Sequence, residues 1–379
     1  MRKKIKVLLV AGARPNFMKV SPVYNELKRH RRFRPMLVHT GQHYDREMSQ
    51  VFFKNLKMPR PDVYLGIGSA SHGRQTGGIM IAFEEVCLRE KPDLVIVVGD
   101  VNSTLACALV AAKLMIPVAH VEAGLRSFDR SMPEEINRLL TDHVSDFLFT
   151  TCLDGNRNLL REGIAKKKIF FVGNTMIDSM QKHLTAAKKS QIRQRLGLNK
   201  TCYGLVTLHR PSNVDDQKTL QHIFDALSEI SKRMPVVFPV HPRTEKQLGG
   251  IHFMTYDGEQ KRGMILTPAL GYLDFLYLMQ HATLVLTDSG GIQEETTILG
   301  IPCLTIRDNT ERPITIRQGT NVIVGNDPGK IVKEAQKVLQ RVTERRLKSK
   351  LKKPKYWDGR AAERIIGVLA KEYRHKYMT

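Results

Sequence analysis

At 379 residues the chain is longer than one hydrophobic core usually serves, so two domains are expected. A hydrophobic share of 42% with regular Gly and Pro punctuation marks a folded protein, and 60 Lys and Arg against 37 Asp and Glu leave a net charge of +23 that calls for an anionic partner. The most apolar stretch, LACALVAAKLMIPVAHV, is broken by Lys113 and Pro117 before the ~20 residues a membrane span needs, so no membrane role is expected.

In chain order, strand-like apolar runs alternate with amphipathic helical ones. IKVLLVAG precedes a helix through SPVYNELKRH, PMLVHTG one through REMSQVFFKNL, DLVIVVGD one through STLACALVAAKLM, and IPVAHVEAG one through PEEINRLLTDHVS. DFLFTT with DGNRNLLREG and KIFFVGN with MIDSMQKHL complete the first half. After a polar stretch at 186–200, read as a linker, the rhythm resumes with YGLVTLH, TLQHIFDALSEISKRM, PVVFPVHP, GMILTPAL, YLDFLYLMQHA, TLVLTDS, PCLTI and NVIVG. Such alternation is the signature of parallel βαβ units. The expected fold is therefore α/β, with two Rossmann-like doubly wound domains facing a central cleft. Their expected bounds are 1–185, completed by a C-terminal helix at 360–379, and 200–358.

MRKKIKVLLVAG runs into a strand pattern and has no cleavage-site character, so no secretory leader is expected. The five cysteines are odd in number and lack CxxC pairs, which argues against zinc and disulfides and for a reducing, cytoplasmic setting. The basic runs at 28–32 and 345–355 come without a helix-turn-helix, zinc-finger or aromatic-basic signature. They read as solvated helix ends and loops, and nucleic acid is not the expected partner.

In a doubly wound fold the ligand lies beyond the carboxyl ends of the strands. That rule selects Gly12 to Arg14, Thr40 to His43, Gly99 and Asp100, Glu122 to Gly124, His209 and Arg210, His241 to Arg243, and Asp288 to Gly291. The segment LVLTDSGGIQEET is a strand-to-helix turn whose glycines and free N–H groups suit a phosphate, although an ordinary capped βα turn explains it equally well. A P-loop and a serine-nucleophile elbow are both excluded, by short spacing without a Lys and by the missing G-x-S-x-G. Arg14 and the turn can grip a diphosphate, His209 can supply a proton, and Glu294 or Glu295 suits ribose hydroxyls. Asp100, Glu122 and Glu134 form an acidic group fit for proton transfer. Helix capping for Asp100 and dipole complementation for Glu134 are the competing readings.

Together GARPNFMK, TGQH, VVGDVNSTLA, HVEAGLRS, MPEEINRLLTD, VGNTMIDS, TLHR, PVHPRT, TDSGGIQEE and RDNTERP resemble the non-hydrolysing UDP-N-acetylglucosamine 2-epimerases through almost the whole chain. The resemblance implies the two-domain architecture called GT-B, a homodimer, and a final helix at YWDGRAAERIIGVLAKEY that returns to the first domain. It also implies interconversion of UDP-GlcNAc and UDP-ManNAc, through loss and readdition of UDP, with no cofactor and no metal. By resemblance Asp100, Glu122, Glu134 and His209 are catalytic. Arg14, Lys19, Arg138, Ser289, Gly290, Gly291, Glu295 and Arg312 bind the UDP-sugar. This chain departs from many members in carrying Asn16 and Phe17 after GARP, and in a longer segment after TGQH. GARPNF, GQHYD and the SHG at 71–73 resemble relatives acting on UDP-2,3-diacetamido-glucuronate. A GT-B glycosyltransferase is the competing class, since it would use the same UDP turn without a base for C2.

Overall fold

The structure is a computed structural model that describes residues 4–12, 14–41, 58–249, 251, 252, 257, 259, 260, 262–343 and 353–377. The side chains of 14, 15, 342, 343 and 374–377 are outside that description, as is the expected helix through REMSQVFFKNL. The chain divides into two compact units, Met1–Lys182 with Lys355–Thr379, and His183–Pro354.

The first unit is built on a seven-stranded parallel sheet. Its strands are β1 (Ile5–Ala11), β2 (Phe33–His39), β3 (Val63–Tyr64), β4 (Leu94–Val98), β5 (Val118–Ala123), β6 (Phe147–Thr150) and β7 (Ile169–Phe171). Their order is β3-β2-β1-β4-β5-β6-β7. Residues 94–98, LVIVV, are buried throughout, because a central parallel strand is covered on both faces. The helix His72–Glu90 packs Ile79, Phe83 and Val86 on one side of this sheet, in a core shared with Ala106, Val110 and Ala111 of the helix Asn102–Lys113.

The second unit carries a six-stranded parallel sheet of β8 (Gly204–Thr207), β9 (Val236–Pro239), β10 (Met264–Thr267), β11 (Leu284–Thr287), β12 (Cys303–Thr305) and β13 (Asn321–Ile323). The order is β10-β9-β8-β11-β12-β13. Leu220, Phe224, Leu227 and Ile230 recur at helical spacing along Gln217–Ser231 and pack with Phe238, Leu286 and Ile331 in its core.

Both orders reverse direction once, between β1 and β4 in the first sheet and between β8 and β11 in the second. Helices leaving on opposite faces open a crevice at such a point.

The segment after Lys355 is fastened to the first unit by polar contacts as well as by packing. Trp357 is fully buried and donates from Nε1 to the Thr151 carbonyl at 2.9 Å. The Asp178 carboxylate accepts the backbone N–H groups of Ala361 and Ala362 at 3.1 and 2.7 Å, which satisfies donors that the start of the helix Ala361–Tyr377 cannot pair internally. Tyr373 donates to the Asp93 carbonyl at 2.6 Å.

Candidate active site

In the first unit, the helix Arg14–Arg29 follows β1 and carries Asn16 and Lys19, both buried. Asn16 donates from Nδ2 to the Val98 carbonyl at 2.8 Å, which ties the start of this helix to the end of β4 across the reversal. Lys19 forms a buried ion pair with Glu122. Glu122 sits at φ +75°, where the pairing of β5 with β6 shifts register between Val121 and Ala123. A left-handed glutamate in a strand is strained, and such strain collects where a side chain has to be aimed. Lys19 Nζ and Glu122 Oε2 lie within 3.4 and 3.5 Å of the point that a Cβ on Gly99 would occupy, so both stand against the Gly99 to Asp100 turn.

Asp100 does not cap the helix that follows it, whose N-cap position is Val101. Its half-buried carboxylate instead accepts from Arg138 Nη2 at 2.5 Å. Arg138 also donates to Glu135 at 2.7 Å. Glu135 in turn accepts the backbone N–H groups of Ser127 and Phe128, both at 2.9 Å. Of the two acids opening the helix Pro133–Val144, Glu135 is thus fully engaged. Glu134 is half-buried and hydrogen-bonds to no described side chain. Four residues before Arg138, it lies on the same helix face.

Beneath this group His120 is completely buried, with Nδ1 at 2.7 Å from Asp142 and Nε2 at 2.8 Å from the Gly99 carbonyl. Asp142 also accepts from the Gly124 N–H at 3.0 Å and pairs with Arg126. Burial pushes the Asp142 carboxyl up, but His120 and Arg126 outweigh it and hold it below its usual range. One buried network therefore ties the turn bearing Asp100 to the one bearing Glu122. Gly124 is required there: it has φ +78°, and a Cβ would come within 2.5 Å of the Gly155 carbonyl oxygen.

In the second unit, Asp288 follows the end of β11, and Ser289 is the N-cap of the helix Gly290–Leu299 without making a side-chain capping bond. Asp288 does not cap it either: its carboxylate accepts the backbone N–H groups of His209 and Arg210 beyond β8, at 3.0 and 2.9 Å. The capped-turn reading thus fails for both residues. Arg312 crosses the helix start so closely that a Cβ on Gly290 would lie 2.3 Å from its Nη1. The guanidinium is held there by Glu294 at 2.8 Å and Glu311 at 3.3 Å, while Arg307 grips Glu311 with two bonds of 3.0 and 2.8 Å. Arg210, Arg307 and Arg312 are matched by Asp288, Glu294 and Glu311, so the pull on an anion at the helix start comes from its own N–H groups and the adjacent guanidinium of Arg312. Glu295 is buried and accepts from the Tyr272 hydroxyl at 2.8 Å. Burial, with neighbouring Glu294, raises its carboxyl to about 7.

Within the first unit the structure gathers Lys19, Asp100, Glu122, Glu134 and Arg138; within the second, His209, Ser289, Gly290, Gly291, Glu295 and Arg312. The side chain of Arg14, together with Ala13, Gln42, His43 and the segment 44–47, is outside the described residues. Sequence reasoning placed Asp288 among the strand-end candidates without giving it a role, and did not single out Glu311, His120 or Asp142. For Asp288 the signal was its position directly after a strand, and for Glu311 its adjacency to Arg312. Among the described residues, no group of three or more His, Cys, Asp or Glu side chains could hold a metal ion.

A family model for UDP-N-acetylglucosamine 2-epimerase matches residues 25–370. The chain belongs to this family. It is 44% identical over 371 residues to the UDP-N-acetylglucosamine 2-epimerase of Methanocaldococcus jannaschii, covering 96% of this chain and 99% of that one. It is 42% identical over 371 residues to the UDP-2,3-diacetamido-2,3-dideoxy-D-glucuronate 2-epimerase of Pseudomonas aeruginosa, covering 97% and 100%. Among solved structures it is similar to the M. jannaschii UDP-GlcNAc 2-epimerase in complex with UDP-GlcNAc and UDP, with a TM-score of 0.85 at 43% identity and coverage of 97% and 99%. Its two parallel-sheet α/β units are of the GT-B class.

Proposed function

We propose that this chain is a nucleotide-sugar isomerase that interconverts UDP-GlcNAc and UDP-ManNAc by elimination and readdition of UDP. A carboxylate takes the proton from C2, and the C2–H electron pair becomes a C1=C2 double bond. The C1–O bond breaks, and its electrons leave on the diphosphate, giving 2-acetamidoglucal and UDP. Readdition reverses each step, with the proton delivered to the opposite face of C2. Electrons balance without an external redox partner. The C2 proton is only weakly acidic, so its removal has to be coupled to departure of a stabilised anion.

Two faces require two proton-transfer groups, and Asp100, Glu122 and Glu134 are assigned to them. The pairing of Lys19 with Glu122 and of Arg138 with Asp100 supports this, because cations let several carboxylates share one site. Lys19, Arg138 and Arg14 are assigned to the sugar and diphosphate, and His209 to assisting the leaving diphosphate. Ser289, Gly290, Gly291 and Arg312 hold the diphosphate, and Glu295 the ribose hydroxyls. The observation that carries the reading is the clustering of cation-paired carboxylates at the first sheet's reversal, in a chain similar over its full length to 2-epimerases.

Incubation with UDP-GlcNAc in D2O, followed by NMR, tests it. UDP-ManNAc carrying deuterium at C2 is expected. An unchanged sugar with retained UDP binding would refute the substrate assignment. The similarity to the P. aeruginosa enzyme then favours a second reading, in which the substrate is UDP-2,3-diacetamido-glucuronate.

The chain is further proposed to act as a cytoplasmic homodimer. Ile81 and Leu88, 68% and 59% exposed, lie two turns apart on the helix His72–Glu90 and offer an apolar stripe to a second copy. The five free cysteines suit a reducing compartment. Light scattering on the wild type and on Ile81→Glu tests the dimer, with a shift to monomer expected in the variant. No helix among the described residues is long and apolar enough to cross a membrane.

A further inference from the structure

Asp288 is completely buried at the reversal of the second sheet, where the ends of β8 and β11 lie side by side. One carboxylate oxygen, Oδ2, accepts from the backbone of His209 at 3.0 Å and of Arg210 at 2.9 Å, with Asn213 Nδ2 at 3.3 Å. The other, Oδ1, lies 2.8 Å from His209 Nδ1. A single carboxylate thus holds the backbone and faces the ring of a residue 79 positions away. Burial pushes the Asp288 carboxyl up, but the facing His209 and the two backbone N–H groups overcome this and hold it below its usual range.

An ionised carboxylate only accepts hydrogen bonds, so the ring nitrogen facing it has to carry a proton. Nε2 is then the nitrogen that gains and loses a proton, and it is on the side of the ring away from Asp288. The His209 side chain is 42% exposed, too open for packing alone to fix its rotation. Among the described residues of its own unit, the charged or titratable groups recorded beside it are Asp288, Arg210 and His241, whose ring centroid lies 5.9 Å away.

We infer that Asp288 is a positioning residue, which pins the His209 imidazole with Nδ1 protonated so that Nε2 is presented to the departing diphosphate oxygen. This rests on the role proposed above for His209. In the elimination direction the ring acts as an imidazolium, whose charge the ionised Asp288 offsets, and its second proton, on Nε2, stabilises the electron pair arriving on that oxygen; in readdition that proton remains on or returns to Nε2. A carboxylate serving only to tie down backbone needs one oxygen; here the second faces the ring nitrogen at 2.8 Å and accepts no other hydrogen bond among the described residues.

Asp288→Asn separates the two roles. The amide oxygen can still accept the backbone N–H groups, but its NH2 then faces Nδ1 and forces the proton onto Nε2. With histidine-selective 15N labelling, and His209 assigned by its loss in His209→Asn, the neutral ring of the wild type is expected to be unprotonated at Nε2. A wild-type ring protonated at Nε2 would overturn the inference, and this reading holds even if the variant fails to fold. Asp288→Asn is expected to invert the tautomer and, because the neutral ring then donates from Nε2 without the charge that the ionised carboxylate supports, to lower kcat by about tenfold, with UDP binding retained. That loss should vanish in a His209→Asn background; an equal loss in both backgrounds would show that Asp288 serves the backbone alone. If His209→Asn leaves kcat unchanged, the role given to His209 is what fails, and the tautomer measurement decides for Asp288.

Discussion

Replacing Glu295 by Gln should stabilise the folded protein above neutral pH. The carboxyl is buried, with one hydrogen bond from Tyr272, and burial together with Glu294 raises it from the ordinary 4.5 to about 7. A carboxyl raised in the folded state keeps its proton while the unfolded chain loses one. Its contribution is therefore complete below pH 4.5 and is lost as pH climbs through about 7. At about 1.4 kcal/mol per pH unit, that interval amounts to on the order of 3 kcal/mol. Gln has the shape of the protonated acid, can still accept from Tyr272, and never ionises. Urea denaturation of wild type and Glu295→Gln between pH 4.5 and 8 should show equal stability at the acid end, with the variant more stable by up to about 3 kcal/mol at the alkaline end. Asp178, raised by burial to about 6, slopes the same way in both proteins and cancels in the comparison. A variant no more stable than wild type at pH 8 would refute the reasoning. The same substitution should weaken UDP binding, because the proposed ribose acceptor loses its charge.

Gly290→Ala places a methyl 2.3 Å from Arg312 Nη1, so the guanidinium has to leave Glu294 and Glu311. Each charged hydrogen bond lost costs about 1.5–3 kcal/mol, and UDP affinity by calorimetry should fall at least about tenfold. Asp178→Ala strands the buried N–H groups of Ala361 and Ala362, a loss of about 1–3 kcal/mol each, and hydrogen exchange across 361–373 should accelerate. Trp357→Ala removes a fully buried ring and its bond to Thr151, and should lower the unfolding free energy by about 3–5 kcal/mol.

The α/β class and its parallel strands were legible in the chain because apolar runs and helical periodicity are local properties. Runs such as LVIVV and LVLT announce strands covered on both faces wherever they occur. Local signals faltered where they were short or mixed. Val63–Tyr64 is a strand of two residues whose pairing with β2 creates it, and the helix after β1 begins at Arg14, ahead of the SPVYNELKRH pattern. The stretch 186–200, read as a linker, contains the end of the helix Thr175–Ala187 and the short helix Ile192–Arg195. Placement of polar residues at strand ends was also readable, since a strand's direction follows from chain order. What each of those residues touches was not. Lys19 meets Glu122 across 103 positions, Arg138 meets Asp100 across 38, and Asp288 meets His209 across 79. These partners are chosen by the order in which crossovers lay strands into a sheet, and no local pattern of residues encodes that order.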